Sequence, residues 1–231
     1  MLRHIMLLAL IGAIIFSAGC TALSEPPFVN MPSIASDDSG GAIAAYEVHK
    51  SGGVRELYAQ KVSPEGNLRW GEKGTLIGRG FGNTYLPPIV GDGSGGAIIA
   101  WSAYPTKPDD GLPPGEQKIP YTTTVTRVDS QGNIQWQKTS VPVRKMIGDG
   151  LGGAIIASVS EGGTLHIVKV DSQSNFLWGE DGVSVGIGRD LQDVQLVSDG
   201  SGGVIVLQDD VRHQVFIQRI EANGRLPWGG E

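Results

Sequence analysis

A five-residue pattern, Asp-x-x-Gly-Gly, occurs four times in this chain, each time ahead of an apolar run and a later Trp, and it constrains the fold more than any other feature. The copies are Asp37–Gly41, Asp92–Gly96, Asp149–Gly153 and Asp199–Gly203, and their final glycines lie 55, 57 and 50 residues apart. A period of that size marks a repeat architecture in which each unit is one small supersecondary element. Asp and Gly suit a tight turn for backbone reasons, because the carboxylate accepts turn amides and Gly takes positive φ without strain.

Within the second repeat, Pro88 to Gly91 reads as a short extended run that enters the Asp92 turn. Gly96 to Trp101 is apolar at almost every position, which predicts a strand buried on both faces. Thr122 to Asp129 alternates and predicts a third strand, and the turn at Ser130–Asn133 leads into a fourth strand through Ile134 and Trp136. The 35 glycines and 13 prolines, scattered among short apolar runs, agree with many turns and little helix. The expected fold class is therefore all-β, with four antiparallel strands in each repeat.

The turn before each Trp keeps one spacing: Gly66-Asn67-Leu68-Arg69-Trp70, Gly132-Asn133-Ile134-Gln135-Trp136, Ser174-Asn175-Phe176-Leu177-Trp178 and Gly224-Arg225-Leu226-Pro227-Trp228. Such rings are expected to bury against a neighbouring repeat. With its lead-in from Leu57, the first of these segments resembles the tryptophan-docking repeat of quinoprotein-like propellers. The chain is also similar to the Gly-Gly-Ala-Ile-x-Ala-Trp repeats of secreted bacterial propeller proteins. The resemblance implies a β-propeller of four four-stranded antiparallel blades. The last repeat stops just after Trp228, one strand short, and Phe28-Val29-Asn30 is a spare extended segment. That segment is expected to pair with the final blade and close the ring; half of a larger ring, completed by dimerisation, is the alternative.

The N-terminus carries a different signal. A basic start, Met1–His4, precedes twelve uncharged residues, Ile5 to Phe16, too few for a permanent span and suited to an export leader. Ser17-Ala18-Gly19-Cys20 resembles the lipobox of bacterial lipoproteins, which implies cleavage before Cys20 and acylation of its thiol. Cys20 is the sole cysteine, so it has no disulfide partner within the chain. The expected organisation is a leader over 1–19, a lipidated cysteine and tether over 20–27, and the propeller domain over 28–231. The domain would be extracytoplasmic, anchored at the cell or outer membrane.

Eighteen basic against 24 acidic side chains give a net charge of −6, which excludes nucleic acid as a natural partner. Asp38-Ser39-Gly40-Gly41 resembles the nucleophile segment of trypsin-like proteases, yet the only His ahead of it is His4 in the leader. His49, His166 and His213 occur singly, and the Asp turns lack the bidentate Glu of a calcium loop, so neither catalytic residues, a metal site nor a cofactor is assigned.

Length variation concentrates in Lys50–Arg55, Pro105–Pro120, Glu161–Thr164, Asp209–His213 and the connections Gly78–Leu86 and Gly186–Asp193. Loops on a rigid scaffold carry recognition. Candidate binding residues are Arg79, Phe81, Tyr85, Tyr104, Asp109, Asp110, Arg189 and Arg212, since Arg beside aromatic rings is a common interface hot spot. The expected function is a binding or scaffold module at the cell envelope, whose partner is the membrane through the anchor and another envelope protein or a small ligand or glycan. The alternative is an envelope hydrolase using Asp109, Asp110, Asp190, Asp209 and Asp210 around a central channel.

Overall fold

The structure, a computed structural model, describes residues 29–82, 88–105, 107, 122–160, 162–186, 191–212 and 214–228. Among the described residues fifteen β-strands fall into four antiparallel sheets, one per sequence repeat. The first sheet has the order β1 (Val29–Ser36), β2 (Ala42–His49), β3 (Val54–Val62), β4 (Thr75–Phe81). The second runs β5 (Ile89–Gly91), β6 (Ala97–Ala103), β7 (Thr122–Val128), β8 (Ile134–Thr139). The third contains β9 (Lys145–Gly148), β10 (Ala154–Val159), β11 (Leu165–Val170) and β12 (Val183–Val185), and the fourth β13 (Leu191–Ser198), β14 (Val204–Asp210) and β15 (Val215–Ile220). Among the described residues no helix is long and apolar enough to cross a membrane.

The expectation of a ring closed by the N-terminal strand is corrected. Phe28 lies outside the described residues, but from Val29 the chain continues as β1 and pairs with β2, Val29 opposite Val48 and Ser36 opposite Ala42. The fourth sheet keeps three strands, and none of the described sheets is closed. The cause is local. Pro32 cannot donate to a ladder, but it sits on an edge strand inside the register shift between Asn30 and Ser33, so the strand continues past it.

The repeated motif is explained atom by atom. In each turn the Asp carboxylate accepts backbone amides: Asp37 from Ser39 and Gly41, Asp149 from Leu151 and Gly153, Asp199 from Ser201 and Gly203. The first Gly of each pair has positive φ, 87°, 80°, 92° and 83° at Gly40, Gly95, Gly152 and Gly202. The second Gly is needed for a different reason. A Cβ at Gly41, Gly153 or Gly203 would lie 2.3, 2.2 or 2.3 Å from the carbonyl oxygen of Val62, Val170 or Ile220.

The chain forms two compact units. The first takes in the first sheet and Gly95–Ser140; the second takes in Val90–Ser94 and everything from Val141. In the first unit, Ile43, Ala45, Leu57, Ala59 and Ile77 of one sheet meet Ala97, Ile99, Trp101 and Val128 of the next in one core. In the second, Ile155, Ala157, Leu165 and Ile167 meet Val194, Val204, Val206 and Ile220. Each fully buried branched or aromatic side chain here contributes about 1.5–3 kcal/mol.

The same polar clasp accompanies both cores. The Trp70 indole N–H donates to the Ser130 carbonyl at 3.1 Å, and the Trp178 indole N–H to the Ala222 carbonyl at 2.9 Å. Lys61 pairs with Asp37 and donates to the Gly95 carbonyl at 2.8 Å, while Lys169 pairs with Asp149 and donates to the Gly202 carbonyl at 2.6 Å. The first sheet thus holds the chain at Gly95 and Ser130 of the second, and the third sheet holds it at Gly202 and Ala222 of the fourth.

Candidate functional site

The loop end of the first sheet gathers the charge that the repeat motif does not require. The short 3-10 turn Ser51–Gly53 joins β2 to β3, with Gly52 and Gly53 at φ 72° and 78°. Side chains alternate along these strands, so Glu47 and His49 of β2 and Arg55 of β3 share one face, while Glu56 and Tyr58 lie on the other with Arg79 of β4.

Glu56 is the centre of the second group. Its carboxylate accepts from Arg79 Nε at 2.9 Å and Nη2 at 2.5 Å and from the Tyr58 hydroxyl at 3.0 Å, with Lys50 Nζ 3.4 Å away. Burial opposes ionisation of this carboxyl, but the Arg79 guanidinium, the Tyr58 hydroxyl and Lys50 outweigh it and hold its pKa below the ordinary value. Burial and the adjacent Glu56 push the Tyr58 hydroxyl up. The Tyr58 ring stacks on Tyr46 at 6.0 Å between centroids, and burial raises Tyr46 to about 12. Arg79 is therefore fixed through two guanidinium nitrogens, with its side chain 62% exposed.

Phe81 follows Arg79 by two residues on β4 and shares its face. Its amide donates to the Tyr104 carbonyl at 2.9 Å, and the Tyr104 amide donates back at 3.0 Å. The Tyr104 ring covers Gly82, where a Cβ would approach it to 2.6 Å. Three of the expected binding residues, Arg79, Phe81 and Tyr104, are thus brought to one end of the first unit. Arg212 belongs to the second unit, exposed on the turn after β14, with its amide donated to Asp210. Cys20, Tyr85, Asp109, Asp110 and Arg189 lie outside the described residues.

Two carboxylates escaped the sequence reading. Besides Glu56, Glu47 is fully buried, with Oε2 3.3 Å from both His49 Nε2 and Arg55 Nη1, and the His49 ring touches the Arg55 guanidinium. Its Oε1 has no hydrogen-bond partner among the described residues. The signal was available: a hairpin that places Glu47 and His49 near Arg55 on one face is readable from alternation alone.

The acidic set considered for hydrolysis fares differently. Asp210 accepts the amides of Arg212 and Gln214, and Asp209 accepts the amide of Asp193. Both carboxylates hold backbone. Asp190, like Asp109 and Asp110, is outside the described residues. No group of three or more His, Cys, Asp and Glu side chains among the described residues is arranged to hold a metal ion.

No family model and no curated protein matches the sequence. Among solved structures, the chain is similar to an ACO/RPE65 chimera (TM-score 0.36, 12% identity, 87% of this chain) and to a mutant of Synechocystis apocarotenoid oxygenase (TM-score 0.35, 11% identity, 88% of this chain). The match covers 60% and 62% of those two chains, so this chain spans about three fifths of their length. Likenesses of this size establish no family for the chain.

Proposed function

We propose that this protein is a lipid-anchored binding module of the bacterial cell envelope, presenting the loop end of its first unit to a protein or glycan partner. The anchor is assigned to Cys20 on the leader and lipobox resemblance, and two or more acyl chains would give stable attachment. The observation that carries the binding role is the fixing of an exposed Arg79 by the buried Glu56, beside Phe81 and the main-chain bridge to Tyr104. An Arg already held in one rotamer loses less entropy on binding than a free one, and Arg with aromatic neighbours is over-represented at interface centres.

The test is affinity capture from detergent-solubilised envelope, comparing wild type with the Arg79→Ala, Phe81→Ala, Tyr104→Ala triple variant. Loss of one or a few specific partners from the variant is expected, with melting temperature little changed. An identical partner set in both would refute the assignment of this patch.

A further inference from the structure

The core of the first unit holds two polar atoms that its own side chains leave unpaired. Glu47 Oε1 and the Trp101 indole N–H are both buried, and neither has a hydrogen-bond partner among the described residues. Glu47 is 0% exposed and Trp101 8%. A carboxylate oxygen accepts and an indole N–H donates, so the two needs are complementary. Leaving such groups dry and unsatisfied costs at least as much as immobilising a water molecule to serve them.

The register brings them to one place. Glu47 pairs with Leu57 across β2 and β3, and Leu57 with Gly78 across β3 and β4, so the three form one row with the core residue Leu57 at its centre. Glu47 follows the core residues Ile43 and Ala45 at alternate positions of β2 and takes the same face, the one that meets the second sheet. Trp101 enters that row from the second sheet, because a Cβ at Gly78 would lie 2.3 Å from Cζ3 and 2.5 Å from Cε3 of its ring. That edge lies across the ring from Nε1, so the N–H is turned away from β4. The row is two strand spacings wide, about 10 Å. In the adjoining row of His49, Arg55 and Gly80, the His49 ring and the Arg55 guanidinium each stand 3.3 Å from Glu47 Oε2, which fixes the carboxylate and leaves Oε1 over. The His49 and Arg55 side chains are 25% and 18% exposed, so Glu47 sits directly beneath the loop-end surface.

We propose that Glu47 Oε1 and Trp101 Nε1 hold a hydroxylic guest between the two sheets of the first unit, either water or the hydroxyl groups of a small polyol. A hydroxyl answers both atoms at once, since its oxygen accepts from the indole and its proton goes to the carboxylate. An ammonium guest would leave the indole without an acceptor, and an anion would meet the Glu47 charge. Arg55 already balances that charge, so a neutral guest fits best. Buried waters serve polar groups of this kind in other proteins. The site lies on the face of β3 opposite Glu56 and Arg79, so its outcome is separate from that of the partner proposed for the loop end.

The test is nuclear magnetic resonance on the full chain in detergent with 15N-labelled tryptophan, glycerol being the polyol probe. Trp101→Phe, or sequential backbone connectivity where that variant does not fold, identifies the Trp101 signal among the five indole N–H resonances. Wild type is expected to show a cross-peak from the Trp101 N–H to water. Its persistence in saturating glycerol assigns the guest as water, and its replacement by a cross-peak to glycerol protons assigns a polyol. Glu47→Gln keeps the side chain's size and an oxygen for Arg55, and it is expected to shift the Trp101 N–H more than any of the other four indoles. A wild-type Trp101 N–H with no cross-peak to water or glycerol, or one that stays unmoved in Glu47→Gln, would overturn the proposal.

Discussion

The clasp between the third and fourth sheets places a buried cation where its removal and the removal of its counterion have unequal consequences. Lys169 and Asp149 are both buried, 3.4 Å apart, and Asp149 also accepts the amides of Leu151 and Gly153 at 2.8 Å. Asp149→Asn keeps an oxygen for those amides but removes the negative charge, leaving Lys169 with only the Gly202 carbonyl. Breaking a buried pair from one side costs about 3–5 kcal/mol. We take about 3 kcal/mol, since the carbonyl remains, which at about 2–4 °C per kcal/mol for a chain of this length is a fall of about 6–12 °C.

Lys169→Met removes the cation and its bond to Gly202 and leaves the carboxylate with two amides on Oδ1 but without its partner on Oδ2, so its cost is about 2 kcal/mol. The double variant holds no unpaired charge and should lose only about 2 kcal/mol, well short of the sum of the single losses. Urea titration followed by tryptophan fluorescence measures all three, with the Lys169 ammonium 5.9 Å from the Trp178 ring. Additive losses, or an Asp149→Asn variant within about 0.5 kcal/mol of wild type as surface changes usually are, would refute the reading of this pair as an electrostatic clasp.

Two further outcomes test the turn chemistry. Gly150 and Gly153 sit in the same turn: Gly150 has φ 75° with open space around a Cβ, whereas a Cβ at Gly153 would lie 2.2 Å from the Val170 carbonyl oxygen. Gly150→Ala should therefore cost only the left-handed penalty of about 1–2 kcal/mol, and Gly153→Ala clearly more, read as a larger shift in urea midpoint; equal shifts would show that backbone approach is not what the second Gly serves. Acid should destabilise both units. The Ser39 hydroxyl, against the opposing effect of burial, leads the groups that lower Asp37; at Asp199 burial is outweighed by the Ser201 and Gly203 amides and Arg219. Because these folded-state values lie below that of an unfolded aspartate, near 3.9, the unfolded chain binds more protons between the two. Stability should be level above about pH 5 and fall steadily as pH drops below about 4, and a midpoint constant down to about pH 2.5 would contradict the shifts.

The strands were readable because burial on both faces leaves short runs such as Ala97 to Trp101 and Ala154 to Ala157 with no polar position, each entered from an Asp-Gly turn. The Trp spacing likewise foretold packing for Trp70 and Trp178, since a constant offset from turn to ring fixes where the indole reaches. Partner choice was not readable in the same way. Edge strands carry little pattern of their own, so the residues around Pro32 gave no sign that β1 would pair with β2 in preference to a remote sheet. Glu56 was passed over for another reason. Its role depends on Arg79, 23 residues later, and the bulge between Leu57 and Tyr58 shifts the register that brings them together.

Subtracting what the fold consumes narrows where recognition can reside. The turn carboxylates Asp37, Asp149 and Asp199 are committed to amides and to Lys61, Lys169 and Arg219, and the indoles of Trp70 and Trp178 to carbonyls of the next repeat. Altering any of these groups would disturb stability before it touched a ligand. What the described residues leave over is of two kinds: Arg79 with its aromatic neighbours, fixed but facing solvent, and an apolar sheet face ending at Trp228 whose counterparts elsewhere are core. The first has the polar, oriented character suited to discriminating a partner; the second is apolar and exposed where its counterparts in the other repeats are buried. A tether at Cys20 would serve the first, because confinement to a membrane surface raises the effective concentration of a partner held on that surface and allows an interface of modest affinity to be occupied.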